Sequence, residues 1–110
     1  MIELECDRPH AAKENVMMAI VATIKVKPGM EAEFETEAKV LVAKVNADEP
    51  GCRLYTLCRS QTPGTYVMLE RYVDQAAIDF HRNTSHYKEV GAKIGKYMDG
   101  RVEVQIMTEL

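Results

Sequence analysis

Apolar residues recur along this chain with two different periods, and the changes of period outline its elements. Residues 17–26, MMAIVATIKV, are rich in β-branched side chains and end at Lys27, Pro28 and Gly29, which predicts a strand followed by a turn. Over 30–47 the apolar positions Met30, Phe34, Ala38, Leu41, Val42 and Val45 return every three or four residues. Glu31, Glu33, Glu35 and Glu37 crowd the first turns of that stretch, where the helix dipole favours negative charge, so it predicts an amphipathic helix. Glu49, Pro50 and Gly51 stop it. Residues 52–60 and 66–73 read as strands joined by a tight turn at 61–65, a hairpin. Asp74 opens a second helical region in which Ala77, Phe80 and His81 share a face. Asn83, Thr84 and Ser85 prefer caps and turns, so a short helix ends near Arg82 and a longer one starts with Thr84 or Ser85 as its cap. That helix carries His86 in its first turn and Tyr87, Val90, Ile94 and Tyr97 along one face. It ends at Asp99 and Gly100. Residues 101–109 then alternate Val102, Val104 and Ile106 against Arg101, Glu103 and Gln105 as the last strand.

The order strand, helix, strand, strand, helix, strand predicts a ferredoxin-like α+β fold, a four-stranded antiparallel sheet with both main helices on one face. Strand one, however, is apolar on both sides: Ile20, Ala22, Ile24 and Val26 on one, Ala19, Val21 and Thr23 on the other. At about 25 cal/mol per Å2, covering the second face contributes several kcal/mol, comparable to a small domain's whole stability. The pattern therefore predicts a homodimer formed sheet against sheet, with a cavity between sheet and helices. Residues 1–16 are polar and unpatterned, a flexible extension ahead of a single domain over 17–110.

Composition narrows the partners. Fourteen Lys and Arg against seventeen Asp and Glu give a net charge of -3, with no basic stripe able to neutralise several phosphates, so nucleic acid is not an expected partner. No apolar run approaches the roughly 20 residues of a membrane span, and residues 1–16 lack the basic start and apolar stretch of a signal peptide, which predicts a cytoplasmic protein. Cys6, Cys52 and Cys58 have no zinc-site spacing, and the last two would lie about 20 Å apart on one strand, so all three read as reduced thiols.

Candidate chemistry concentrates in residues 70–87, ERYVDQAAIDFHRNTSHY. Glu70 and Tyr72 share one face of their strand, Asp74 caps the following helix, and His81 lies on that helix's inner side. His81 and His86 are candidate bases because an imidazole titrates near neutrality, and Glu70 is a candidate to assist. Tyr66, Tyr72, Tyr87 and Phe80 would supply an aromatic wall. Each has a plainer reading: His81 tying its helix to a strand carbonyl, His86 solvated, Glu70 capping a backbone amide. The two histidines are five apart with a break between them and have no third ligand, so no metal is expected; no Gly-rich loop suggests a nucleotide or flavin.

Several of these pieces resemble the antibiotic biosynthesis monooxygenase family of small dimeric α/β barrels over about 17–109: Lys27-Pro28-Gly29, Glu49-Pro50-Gly51-Cys52, and Glu70-Arg71-Tyr72 followed by Asp74, Ala77, His81, Ser85, His86 and Tyr87. The resemblance implies a monooxygenase without cofactor, acting on a small aromatic quinol or related enolisable compound with dioxygen. In that chemistry the protein removes a proton and the electron-rich anion reacts with dioxygen. The family also includes haem-degrading enzymes and an isomerase of a phosphorylated hydroxyketone. This chain has no tryptophan, where many members carry one at the position of Tyr72, and strand one offers only Ala22 and Thr23 where haem-degrading members have Asn. Those departures weigh against haem. The wording around Tyr72-Val73-Asp74-Gln75-Ala76 and Ser85-His86-Tyr87-Lys88 keeps the isomerase open, with Arg53, Arg71 or Lys88 as candidates to hold its phosphate. A ligand-binding dimer without activity is the third alternative.

Overall fold

The structure is a computed structural model and describes residues 16–110. The extension expected over 1–16 falls, apart from Val16, outside the described residues, as does Cys6. Strand β1 (Met18–Lys25) sets the layering, because its alternation buries Ile20, Ala22 and Ile24 on one side. Helix α1 (Glu31–Asp48) lays Phe34, Ala38, Leu41 and Val45 on that face, the stripe that the periodicity predicts. Strands β2 (Cys52–Arg59) and β3 (Thr65–Tyr72) form the hairpin, with a register shift between Cys52 and Leu54. Two short helices follow, α2 (Gln75–Asn83) and α3 (Ser85–Ile94), then a 3-10 turn at Gly95–Tyr97 and strand β4 (Glu103–Thr108).

All pairings are antiparallel and the strand order is β2-β3-β1-β4, which makes this the ferredoxin-like α+β fold. Caps fall where the polar residues predict: Asp74 Oδ1 accepts from the Ala77 N–H at 2.9 Å, and Thr84 Oγ1 accepts from the Tyr87 N–H at 3.2 Å. One expected face is different. In α2 the buried residues are Ile78 and His81, whereas Phe80 is 56% exposed, because at 100° per residue it falls beyond the arc through Ala77, His81 and Ile78.

Cover over the sheet is uneven. Helix α1 packs on β2 and α3, whereas the six residues of β4 are all exposed. Val104 and Ile106 stand opposite Ala22 and Ile20 on the helix side, yet remain half-exposed. A hollow is therefore left above β1, open toward β4. On the sheet's outer side Ala19, Val21, Thr23, Val67 and Leu69 are only partly buried, with Leu54 and Met107 exposed at the margins.

Candidate active site

The site begins at a helix end. Pro50 disfavours helical backbone at the residue before it, and Glu49 accordingly sits at φ -118°, ψ 88° as the cap of α1, its N–H donating to the Val45 carbonyl at 3.1 Å. Its carbonyl accepts from the Cys52 N–H at 3.0 Å, which closes the turn into β2. At Gly51 β2 and α2 approach so closely that a Cβ would lie 2.8 Å from that of Ala77. The absence of that one carbon lets α2 settle against the turn, with His81 over Glu49.

The Glu49 carboxylate is buried, with its side chain 1% exposed, and it receives two imidazoles. His81 Nδ1 lies 3.0 Å from both carboxylate oxygens, and His86 Nε2 lies 2.6 Å from Oε2. An ionised carboxylate only accepts, so each of these nitrogens carries the hydrogen and donates it. The proton on His81 is thereby fixed at Nδ1, leaving Nε2 with its lone pair. The helix break makes the double contact possible. Thr84 caps α3 while its hydroxyl donates to the His81 carbonyl at 2.8 Å, and the bend between α2 and α3 carries residues five apart in sequence to one carboxylate.

His81 forms part of the wall of a cavity of about 450 Å3 between the sheet and the two short helices. Its floor is apolar, with Ile20, Ala22, Ile24, Leu41, Met68 and Val104, and its polar end gathers Glu70, His81, Arg82, Tyr87 and Lys88. Burial lowers the His81 pKa below the ordinary imidazole value, against the opposite pull of Glu49, so the ring is uncharged at neutral pH with Nε2 free to accept. Burial also pushes Glu70 up to about 7, even though its Oε1 accepts a 2.6 Å hydrogen bond from the Tyr72 hydroxyl. Tyr55, Tyr72 and Tyr87 surround the His81 ring at 5.1, 5.6 and 4.8 Å between centroids.

Of the residues the sequence suggested, His81, Glu70 and Tyr87 meet at the cavity, and Tyr72 stands behind Glu70 as its hydrogen-bond donor. His86 reaches the site through Glu49 from a position that is 11% exposed. Neither histidine follows its plainer reading, since His81 bonds a carboxylate and not a strand carbonyl. Two of the residues suggested for the wall lie away from the main cavity. Tyr66 is on the cavity side of the sheet but packs against Phe34 at the far end, with its hydroxyl held by Glu35. Phe80 lies against the Glu49–Gly51 turn, outside the main cavity. Glu49 is the residue that sequence reasoning missed; the only signal was that its Glu-Pro-Gly-Cys turn stood among the recognisable pieces. Arg82, likewise unforeseen, joins Lys88 at the cavity, whereas Arg71 pairs with Glu109 and Arg53 does not line it.

Fold and site together define a ferredoxin-like domain with a carboxylate-oriented histidine on the wall of an apolar cavity. A family model described as "Antibiotic biosynthesis monooxygenase" matches residues 17–93, and the chain belongs to that family. It is 35% identical over 94 residues to "Putative monooxygenase YcnE" of Bacillus subtilis, covering 86% of this chain and 98% of that protein. It is 28% identical over 93 residues to "Putative monooxygenase Rv0793" of Mycobacterium tuberculosis, covering 84% and 91%. A solved structure described as a putative antibiotic biosynthesis monooxygenase from Caulobacter crescentus superposes with a TM-score of 0.85 at 38% identity, covering 94% of this chain and 98% of that one. Among the described residues no helix is long and apolar enough to cross a membrane.

Proposed function

We propose that this protein is a cofactor-independent monooxygenase of a small aromatic quinol or related enolisable compound, with His81 as the base. The observation that carries this reading is the Glu49–His81 pair at the cavity wall, which fixes the tautomer whose Nε2 can take a proton. A flat substrate would lie on the apolar floor with its acidic O–H or C–H at the polar end. His81 Nε2 takes the proton, Glu49 stabilises the imidazolium formed, and the substrate anion passes one electron to dioxygen. Glu70, which titrates near neutrality, is placed to return a proton to the product. His86, donating to the same carboxylate from a position closer to solvent, assists by holding Glu49 in place beneath His81. Tyr87 walls the cavity beside the His81 ring, and Tyr72 holds Glu70.

The assembly proposed is a homodimer of facing sheets, supported by the apolar outer side of β1 and β3. Oxygen uptake by purified, metal-stripped protein with a panel of hydroquinones tests the activity, and sedimentation at micromolar concentration tests the pair. No consumption across the panel, or a well-folded lone subunit, would remove the corresponding half of the proposal. A second reading, isomerase of a small phosphorylated hydroxyketone, is favoured by one observation, the presence of Arg82 and Lys88 at the cavity. It predicts turnover in the absence of oxygen.

A further inference from the structure

Building on the reading that an aromatic or enolisable acid occupies the cavity, we infer that Arg82 and Lys88 form an oxyanion site that holds the substrate's conjugate base, an aryl oxide or enolate, in preference to its neutral parent. The groups facing the cavity come from four elements: Tyr55 on β2, Glu70 on β3, His81 and Arg82 on α2, Tyr87 and Lys88 on α3. Glu49 stands behind His81 and does not face the cavity. Only the arginine and the lysine among them are cationic donor side chains. Burial holds His81 uncharged, Tyr55 is pushed up by burial, and Glu70, the one carboxylate, is half neutralised at about pH 7. In a chain of net charge -3 two basic residues thus line the rim of an apolar hollow.

The charge of Arg82 acts on the Glu70 carboxylate across the cavity, without a salt bridge between them among the described residues. Arg59 is paired with Glu35 and Arg71 with Glu109, whereas among the described residues no ion pair takes up Arg82 or Lys88. The break at Thr84 sets them at the end of one helix and near the start of the next, so both reach the same cavity. When His81 takes a proton from a bound O–H, the bonding electron pair stays on the substrate oxygen, and that is the charge these side chains meet.

4-Nitrophenol tests this directly, because its oxide is yellow and its neutral form is not, and nitrobenzene has the same body without the acidic group. Bound to excess protein, nitrophenol should ionise about one pH unit or more below its value in buffer, as expected for an acid beside a cation. Arg82→Gln and Lys88→Gln should each return part of that shift and the double variant all of it, while nitrobenzene binds every form alike. Both positions are exposed on helix surfaces, and the nitrobenzene affinity also verifies an intact cavity. His81→Asn should retain the shift, which separates the oxyanion site from the base. Nitrophenol that binds with an unchanged or raised ionisation would overturn the oxyanion site and leave the cavity reading standing, as would a shift that survives the double variant. Failure of both compounds to bind would remove the cavity reading and this inference with it.

Discussion

Two carboxylates in this molecule gather hydrogen-bond donors in the same way and for different ends. Glu35 accepts from Arg59 at 2.7, 2.9 and 3.2 Å and from the Tyr66 hydroxyl at 2.5 Å, near the surface. Glu49 accepts from His81 and His86 in the interior. Tyr66 first and Arg59 second hold the Glu35 carboxyl below the usual carboxylate range, and its cationic partner never loses its proton. That cluster fastens α1 to the hairpin and has nothing to exchange near neutral pH. Around Glu49 the partners are imidazoles, the side chains whose charge changes most readily there, and one of them faces a cavity. The difference lies in what the donors can do with a proton.

Glu49→Gln should break this comparison most sharply. The substitution keeps the size and removes the charge, and its amide N–H2 would face imidazole N–H groups, so His81 loses the partner that fixes its tautomer. We expect kcat/KM to fall by about 10²- to 10⁴-fold, the usual contribution of a general base, with an accompanying loss of about 1–3 kcal/mol from unsatisfied buried donors. Oxygen-uptake kinetics and thermal denaturation read the two separately. Activity within a few-fold of the original protein would mean that Glu49 does not set the base.

Gly51→Ala sharpens the same point without touching any polar group. The added Cβ would meet that of Ala77 at 2.8 Å, so α2 must move and take His81 with it. Overpacking of this kind costs about 1–3 kcal/mol, and a displacement near 1 Å lowers turnover by up to about 10²-fold. A variant with reduced stability and unchanged kcat would show that the His81 position tolerates movement of its helix.

Why one of these clusters was legible in the sequence and the other was not follows from their geometry. Period placed α1, where burial on one face imposes it, and alternation placed β4 although its residues stay exposed, while the turn located the hairpin and the caps at Asp74 and Thr84 could be read from side-chain chemistry. His81, Glu70 and Tyr72 were legible because they lie within one strand, one turn and one helix. Glu49 was not, since it is 32 residues from His81 and 37 from His86, and a glutamate before Pro-Gly reads as part of a solvated turn. The histidine spacing pointed away from convergence as well, because a continuous helix does not bring residues five apart together; the bend at Thr84 does. Tyr66 and Phe80 were assigned to the wall from residue type, which says nothing of distance along the sheet or of position on a helix's circumference.

A smaller effect concerns the carboxylate on the other side of His81. Burial raises Glu70 to about 7 from an ordinary 4.5, so the folded protein binds a proton that the unfolded chain releases across that interval. Its contribution to stability is present below about pH 4.5 and is lost as pH rises through about 7. Glu70→Gln, whose carbonyl oxygen can still accept from Tyr72, should therefore raise Tm at pH 8, by up to about 3 kcal/mol of stability, and leave it little changed at pH 4. His81 acts in the opposite sense. Its lowered pKa removes stability as pH falls below the ordinary imidazole value near 6.5, so where the two windows overlap the two contributions oppose each other. Equal gains at both pH values for the Gln variant would show that Glu70 is not held protonated by its surroundings.

The smallest expected change lies in the surface cluster, and it decides whether the two carboxylates differ as argued. Tyr66→Phe removes one donor from Glu35 and leaves the bidentate Arg59 contact in place, so the carboxylate remains satisfied. The loss should be that of one hydrogen bond, about 1 kcal/mol, with kcat and KM unchanged within about twofold. The phenyl ring still fills the same place against Phe34, so the packing beneath α1 persists. A drop in activity approaching that of Glu49→Gln would show that the α1–hairpin clasp transmits to the cavity. The distinction between a fixed ion pair and a proton-carrying one would then no longer separate the structural carboxylate from the functional one.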